Sequence, residues 1–282
     1  MLKPEPAAAP TIAPQGFTPI ECLAGALDAG VLFLCDHACN VLPAEYGDLG
    51  LPPAEFERHI AYDIGAATIV RHLAGAFGAP AVLTTYSRLL IDPNRGADDP
   101  TLVMRISDGA LIPGNARIGS DEIERRRRLF WQPYRDATAQ RIDAMVATGR
   151  IPAIIDIHTF TPVFKDMARP WHVAVLWDDD GRLAVPLIAA LRREGDLVVG
   201  DNEPYDGALL GDTLNVHATV RGLANVLIEV RQDLVARERD AVAWAKRLER
   251  VLRPVLAQPD AHMIEYHRSR AGAVRPTTGK RT

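Results

Sequence analysis

The sequence predicts a single α/β domain with a mostly parallel central sheet flanked by helices. Short unbroken apolar runs recur along the chain, for example at residues 30–35, 152–159 and 224–231, and such runs are typical of strands buried on both faces of a sheet. Longer segments with apolar residues every three or four positions lie between them, as in amphipathic helices. This alternation favours strands joined by helical crossovers, which produce a parallel sheet.

The individual elements are assigned in chain order. Strands are expected at residues 30–35, 81–86, 88–91, 152–159, 172–177, 196–200 and 224–231. Helices are expected at residues 54–77, 120–147, 183–193 and 233–256. Pro133 should kink the second helix, because proline cannot donate a backbone hydrogen bond. Residues 96–119 have little periodicity and are expected to form a functional or mobile loop.

One domain accounts for most of the 282 residues, since a chain of this length can form a single large α/β domain. The Pro/Ala-rich residues 1–15 are expected to be a loose N-terminal segment. Residues 16–268 are expected to form the α/β domain, and the basic residues 269–282 a disordered tail. The sequence does not indicate the oligomeric state.

Composition restricts the class of protein. Hydrophobic residues make up 48% of the chain and charged residues 24%, as in ordinary globular proteins. The net charge of −4 gives no support to a nucleic-acid partner. The apolar runs are too short to cross a membrane, and the N-terminal segment lacks the apolar region of a signal peptide. We therefore expect a cytoplasmic protein whose cysteines, Cys22, Cys35 and Cys39, are reduced thiols.

Polar side chains end or follow four of the predicted strands: His37, Asn94 with Arg95, His158, and Glu229 with Arg231. The carboxyl ends of parallel strands meet at one edge of a sheet, where ligands bind. Two imidazoles and a carboxylate are common zinc ligands, and a guanidinium group matches the geometry of a carboxylate. A glutamate beside a metal-bound water can act as general base. These residues together predict a metallohydrolase site for an anionic substrate.

Each candidate also has an ordinary structural interpretation. His158 at a strand end can be a satisfied structural histidine, and Glu229 can pair with Arg231 to ease its own burial. Asp156 lies two residues before His158 on the same strand face, where its carboxylate can fix the tautomer of a metal-binding imidazole. Signatures of other catalytic classes, such as a nucleophile elbow, a P-loop or a helical zinc motif, do not occur in the sequence.

The chain resembles the N-formylglutamate amidohydrolase family. The matching stretches are Asp36-His-Ala-Cys-Asn40, His59-Ile-Ala-Tyr-Asp-Ile-Gly-Ala66, Tyr86-Ser-Arg-Leu-Leu-Ile-Asp-Pro-Asn-Arg95, Ile157-His-Thr-Phe-Thr-Pro-Val-Phe164, Gly200-Asp-Asn-Glu-Pro-Tyr205 and Ile228-Glu-Val-Arg-Gln-Asp-Leu234. That family is similar to the zinc carboxypeptidases and aspartoacylases. The resemblance therefore implies their phosphorylase/hydrolase-like α/β fold and the hydrolysis of a small amide.

The resemblance also implies roles for individual positions. His37 and His158 match the two metal-binding histidines, and Glu229 matches the general base. Asn94 with Arg95 matches the pair that holds the substrate's carboxylate, and Tyr205 falls near a substrate-side tyrosine.

The third metal ligand is the point of departure from the carboxypeptidase pattern. There the first histidine is followed, after two residues, by a glutamate, whereas here that position is Asn40. Asn40, His59 and Asp63 remain alternatives for this ligand, and we place Asp63 in the predicted site with His37 and His158.

We therefore expect a hydrolase, dependent on Zn²⁺ or another divalent transition metal, that cleaves a small N-formyl or N-acyl acidic amino acid such as N-formylglutamate. Arg88 is expected to act in catalysis beside Glu229, since Arg88 or Arg95 would stabilise the oxyanion or anchor a carboxylate. Arg231 completes the predicted substrate-binding residues. The alternatives are an aspartoacylase- or carboxypeptidase-like hydrolase of another acyl substrate, or a non-catalytic anion-binding relative, for which Asn40 is the argument.

Overall fold

A computed structural model of the chain describes residues 17–272. The loose segment predicted at residues 1–15 lies outside the described residues, as does the predicted tail from residue 273 onward. The first residues of that tail pack on the domain rather than being disordered. The backbone N–H of Arg270 donates a 2.8 Å hydrogen bond to Asp178 Oδ1, and its guanidinium contacts Asp206. The predicted start of a disordered tail at residue 269 is therefore wrong.

A seven-stranded, mostly parallel sheet forms the centre of the domain, which confirms the predicted fold class. The strands of the described residues are β1 (Ile20–Leu23), β2 (Val31–Cys35), β3 (Ala81–Thr84), β4 (Ile106–Ser107), β5 (Ala110–Leu111), β6 (Ala153–Phe160), β7 (Val163–Phe164), β8 (Met167–Ala168), β9 (Val173–Leu176), β10 (Val199–Asp201) and β11 (Asn225–Arg231). Strands β4 and β5 form one separate hairpin, and β7 and β8 form another. The strand order in the large sheet is β1-β3-β2-β6-β11-β9-β10. Strands β3, β2, β6 and β11 run parallel, whereas β1 and β9 run antiparallel to their inner neighbours.

Helices cover both faces of this sheet. They are α1 (Ala66–Phe77), α2 (Pro113–Ala116), α3 (Ser120–Arg126), α4 (Gln132–Val146), α5 (Gly181–Arg193), α6 (Thr213–His217) and α7 (Glu238–Leu256). Helices α1, α5 and α7 pack on the face that carries Ile155, Ile157 and Ile228. Helices α4 and α6 pack on the opposite face, against Ile154 and Leu227. Among the described residues, no helix is both long enough and apolar enough to cross a membrane.

The helix predicted at residues 54–77 begins only at Ala66. Residues Pro53–Glu57 form a short 3₁₀ helix, and turns follow as far as Gly65. Gly65 has φ of +84°, and a side-chain carbon at this position would lie 2.5 Å from the carbonyl oxygen of Val235. The apolar residues before it pack in a separate cluster with Leu49 and Leu51, which explains why their spacing resembled that of a helix.

The strand predicted at residues 88–91 is a turn, and β3 ends at Thr84 rather than at residue 86. Leu89, Leu90 and Ile91 are fully buried, so the apolar run reports burial in side clusters and not strand pairing. The predicted loop at residues 96–119 contains the β4–β5 hairpin and α2. The kink expected at Pro133 corresponds to a π-helical turn, Arg127–Trp131, that joins α3 to α4 immediately before it.

Candidate active site

Three neighbouring parallel strands bring the predicted catalytic residues to one edge of the sheet. β6 pairs with β2 on one side and β11 on the other, and His158 is directly opposite Glu229 in the β6–β11 register. His37 lies two residues beyond the end of β2. The ring centroids of His37 and His158 are 4.8 Å apart, and both side chains are almost completely buried.

Asp63 lies between the two histidines. Its Oδ2 atom is 3.4 Å from His37 Nδ1 and 2.8 Å from His158 Nδ1. The carboxylate is held in place by a 3.2 Å hydrogen bond from the backbone N–H of Thr159, and the Asp63 N–H donates to the carbonyl oxygen of His37. One ligand atom from each of these three residues lies within 4.8 Å of the others. Two imidazole nitrogens and a carboxylate oxygen suit Zn²⁺ or a similar divalent ion.

The structure separates the alternatives for the third ligand. Asp63 lies in the turn before α1, and its predicted position within a helix is wrong. The amide of Asn40 donates to the carbonyl oxygen of Phe56 at 2.9 Å, and His59 Nε2 is 3.6 Å from Asp108 Oδ2. Asp63 is the candidate that contacts both histidines.

The second ring nitrogen of His37 is held by Asp92. His37 Nε2 lies 2.8 Å from Asp92 Oδ1, which also accepts a 2.9 Å hydrogen bond from the backbone N–H of Asn94. Arg88 donates to the other carboxylate oxygen of Asp92. Burial alone would raise the pKa of Asp92, but Arg88 and His37 outweigh it and hold that pKa well below its ordinary value. This carboxylate leaves Nδ1 of His37 directed at Asp63.

A pair of carboxyl groups faces the second ring nitrogen of His158. His158 Nε2 lies 3.2 Å from Asp156 Oδ2 and 3.7 Å from Asp36 Oδ2. Burial and the charge of Asp36 raise the pKa of Asp156 to about 8. Burial also opposes ionisation of Asp36, but the contacts with His158 outweigh it and lower the pKa of Asp36 to about 2. The pair therefore retains one proton at neutral pH.

Glu229 is buried beside this cluster. Burial raises its pKa to about 7, although the nearby His158 acts in the opposite direction. Its Oε2 atom has no hydrogen-bond partner among residues 17–272. A carboxylate with a pKa near neutrality can both accept and return a proton, as a general base requires.

A cavity of about 390 Å³ opens over these groups. It is lined by nearly all the predicted site residues: His37, Asp63, Arg88, Asn94, Arg95, His158, Tyr205 and Glu229. Asn94 is fixed by a 3.1 Å hydrogen bond from the backbone N–H of Thr213 to its Oδ1 atom. Arg95 donates to Thr101 Oγ1 at 3.1 Å and to the carbonyl oxygen of Asn94 at 2.8 Å.

Arg231 does not join the others in this cavity. Its Nε atom donates to Asp233 Oδ1 at 2.8 Å, and its guanidinium group also reaches the carbonyl oxygens of Arg169 and Trp171. Arg231 shares a strand with Glu229, but it is the last residue of β11, where the side chain turns to the following segment.

The sequence did not single out Arg169 or the role of Asp92. Arg169 follows the β7–β8 hairpin, donates to the Tyr205 hydroxyl at 2.9 Å and stacks 4.8 Å from the centroid of that ring. Nothing in the local pattern marks it, because the strand that it follows, β8, has only two residues and no periodic signal. Asp92 lies in one of the stretches that resemble the family, two residues before the predicted substrate-binding residue Asn94. This position was the signal that could have identified its role.

Comparisons with known proteins agree with this geometry. The sequence profile described as N-formylglutamate amidohydrolase matches residues 29–236. The crystal structure of the gene product Atu2144 from Agrobacterium tumefaciens is 33% identical in sequence, with a TM-score of 0.80 over 86% of this chain and 96% of that one. N-formylglutamate amidohydrolase from Ralstonia eutropha JMP134 is 19% identical and shares the fold, with a TM-score of 0.60 over 84% of this chain and 99% of that one.

No curated protein sequence matches the chain. The matched profile nevertheless spans most of the sequence and contains both histidines of the candidate site, Asp63 and Glu229. The resemblance found in the sequence is thereby confirmed, and with it the general class of hydrolases that act on amides. The chain belongs to the N-formylglutamate amidohydrolase family.

Proposed function

We propose that the chain is a metal-dependent amidohydrolase that cleaves a small N-formyl or N-acyl amino acid bearing a carboxylate, such as N-formylglutamate. The observation that supports this most strongly is the convergence of His37, Asp63 and His158 beside Glu229 at the base of one cavity. A cavity of this size is at the lower end of the range for small-molecule sites.

His37 and His158, through their Nδ1 atoms, and Asp63, through Oδ2, would hold the metal. A divalent ion bound there supplies Lewis-acid polarisation of the amide carbonyl and lowers the pKa of water. The donor set fits such an ion, because both imidazoles have a carboxylate at the opposite nitrogen.

Glu229 would move the proton. It takes a proton from the attacking water as the new carbon–oxygen bond forms, and it transfers that proton to the amine nitrogen as the carbon–nitrogen bond breaks. The products are a carboxylic acid and a free amino acid. Burial without a fixed hydrogen-bond partner keeps the pKa of Glu229 near 7, so both transfers are energetically accessible at neutral pH.

The cationic residues of the cavity would bind the substrate's carboxylate. Arg95 and Asn94 form a hydrogen-bonded pair at the cavity wall, and Arg88 lies nearer to Asp63 with its guanidinium held by Asp92. Arginine presents a planar fork that matches two carboxylate oxygens. Arg88, fixed between Asp92 and the predicted metal ligands, would also stabilise negative charge that develops on the amide oxygen.

The test combines metal content with turnover of N-formylglutamate. Protein purified without chelator should hold about one divalent transition metal, and His37→Ala and His158→Ala should each lose it. Glu229→Gln should keep the metal and the fold but lose several orders of magnitude in kcat. The exposed Glu238→Gln is the matched control and should behave as the wild type. Metal retained in both histidine variants, or normal kcat in folded Glu229→Gln, would contradict the proposal.

A further inference from the structure

One side of the cavity is apolar and is not used by the chemistry proposed above. The aliphatic lining residues on this side are Leu176, Ala208, Leu209, Leu214 and Leu227. Asp206 and Asp212 line the cavity from the same segment, but their carboxylates accept hydrogen bonds from Arg270 and from the backbone N–H of Asn215. They come from β9, β11, α6 and the segment before α6. The cavity therefore brings two different environments to Glu229, one cationic and one aliphatic.

The strand register fixes where the aliphatic side lies. Leu227 precedes Glu229 by two residues on β11, so both side chains share a face of the sheet and lie about 7 Å apart along the strand. Leu176 on β9 is directly opposite Leu227 in the antiparallel register. These two leucines form an apolar floor that adjoins the proposed general base.

Helix α6 extends this apolar surface into a wall beside the floor. Leu214 lies on α6, packs with Leu176 and Leu227, and lines the cavity together with them. The residue before it, Thr213, donates its backbone N–H to Asn94. The apolar wall thus begins next to the predicted carboxylate anchor, and one small ligand can contact both.

The cationic groups come from a different part of the fold. Arg88 and Arg95 follow β3, which is separated from β11 in the sheet by β2 and β6. Among the described residues that line the cavity, the leucines of β9 and β11 have no arginine or lysine on their own strands there. Neither a formyl group nor a substrate carboxylate offers these leucines an aliphatic partner.

We infer that this apolar side is a subsite for a short aliphatic chain of the substrate. The inference rests on the proposed function, and it specifies the substrate class: an N-acylated amino acid that carries a carboxylate for the arginines and an aliphatic chain for the leucines. The chain belongs either to the acyl group or to the amino-acid side chain, and both present the same chemistry to the subsite.

Binding measurements test the subsite independently of turnover. Metal-loaded Glu229→Gln protein is titrated calorimetrically with N-acyl-L-glutamates from formyl to hexanoyl, and with N-formyl derivatives of glycine, alanine, norvaline, leucine and glutamate. Affinity should rise about fourfold for each methylene that the subsite buries. A rise along the first series assigns the aliphatic chain to the acyl group, and a rise along the second assigns it to the side chain.

Two variants that fill the subsite provide the structural check. Leu227→Phe and Leu214→Phe, each in the Glu229→Gln background, should lower the affinity ratio between the longest and shortest ligands of the responsive series at least tenfold. Leu210→Phe, at a side chain that is 65% exposed and outside the lining, should keep the parent ratio. Affinity that is flat or falls with chain length in both series would overturn the inference. Hydrolysis of N-formylglutamate by the wild type tests the proposed function separately.

Discussion

The two histidines of the candidate metal site are supported by opposite kinds of structure. His37 belongs to a side built from loops and turns, where Asp92 is hydrogen-bonded by His37, Arg88 and the backbone of Asn94. His158 belongs to a side built from strands, where Asp156 and Asp36 are fully buried. None of the four oxygens of this pair has a hydrogen-bond partner within the described part of the chain.

The contrast shows that the carboxylates that orient the two imidazoles can affect the stability of the fold in opposite directions. On the loop side, each charge is neutralised by an opposite charge, and removal of one partner leaves another charge buried and unpaired. On the strand side, two carboxyl groups are close together in a medium that disfavours charge, and burial with the charge of Asp36 raises the pKa of Asp156 so that it keeps its proton. Neutralising a carboxylate should therefore destabilise the first side and relieve the second.

The largest effect is expected for Asp92→Asn. The substitution leaves the guanidinium of Arg88, which is 17% exposed, with only a longer 3.8 Å contact to the carboxylate of Asp63. Breaking a buried pair of this kind typically lowers the free energy of unfolding by about 3–5 kcal/mol. Urea denaturation of the metal-free protein measures this change in the free energy of unfolding, and Asp98→Asn, at an exposed position, is the control. A loss no larger than that of the control would show that the loop side is not held by this pair.

Asp156→Asn should change the free energy of unfolding in the opposite direction. The folded-state pKa of Asp156, about 8, lies above the ordinary value of 3.8, so the folded protein holds one more proton than the unfolded chain between these values. Stability from this group is present below pH 4 and is lost as the pH rises through 8, by at most about 1.4 kcal/mol per pH unit. The asparagine variant carries no such proton and should lose less stability on alkalinisation. Urea denaturation of the metal-free wild type and the variant from pH 5 to pH 9 gives the free energy of unfolding of each protein. If the two proteins show the same dependence on pH, the raised pKa of Asp156 is refuted.

The strand side was also the predictable one. Period-2 geometry places Asp156 and His158 on one face of β6 from sequence alone, and their contact in the structure confirms it. The strand-end positions of His158 and Glu229 were also predicted, whereas the register that sets the two residues opposite each other is seen only in the structure. Local pattern was sufficient because a buried strand repeats the same environment every second residue.

On the loop side, His37 was predictable from its place after β2, whereas Asp63 was found only through the resemblance. Apolar spacing around residues 54–65 and 88–91 reflected burial in side clusters, and it suggested a helix and a strand where the chain forms turns. Asp63 reaches the histidines because Gly65 allows a left-handed conformation against Val235, a contact 170 residues away in sequence. Such a contact has no local periodic signal.

Metal affinity provides a third comparison of the two sides. A carboxylate that contacts the second ring nitrogen of a metal-binding histidine typically raises metal affinity by roughly 10- to 100-fold. This contribution does not depend on whether the carboxylate itself stabilises the fold. Asp156→Asn should therefore weaken metal binding by about that factor even though it does not destabilise the fold. Competition with a chromophoric chelator at pH 7 measures the dissociation constant, and Asp98→Asn is again the control. Unchanged affinity would mean that His158 is oriented by packing and not by the carboxyl pair.

The smallest effect separates two arginines that the sequence placed together in the substrate site. Arg95, on the loop side, lines the cavity beside Asn94, whereas Arg231, at the end of the strand side, is paired with Asp233 outside it. If Arg95 binds the substrate's carboxylate, Arg95→Ala should lower kcat/KM for N-formylglutamate at least tenfold, because a lost charge-assisted contact costs about 2 kcal/mol or more and about 1.4 kcal/mol corresponds to tenfold.

The corresponding amide, in which that carboxylate is neutral, should respond much less to Arg95→Ala. Arg231→Ala should affect acid and amide alike, because the structure directs its charge to Asp233 and not to the ligand. Steady-state kinetics on the two substrates with both variants decides the assignment. Equal losses on acid and amide in Arg95→Ala would remove Arg95 as the anchor. A selective loss on the acid in Arg231→Ala would restore the role that the strand pattern first gave it, and it would require the end of β11 to turn toward the cavity when the substrate binds.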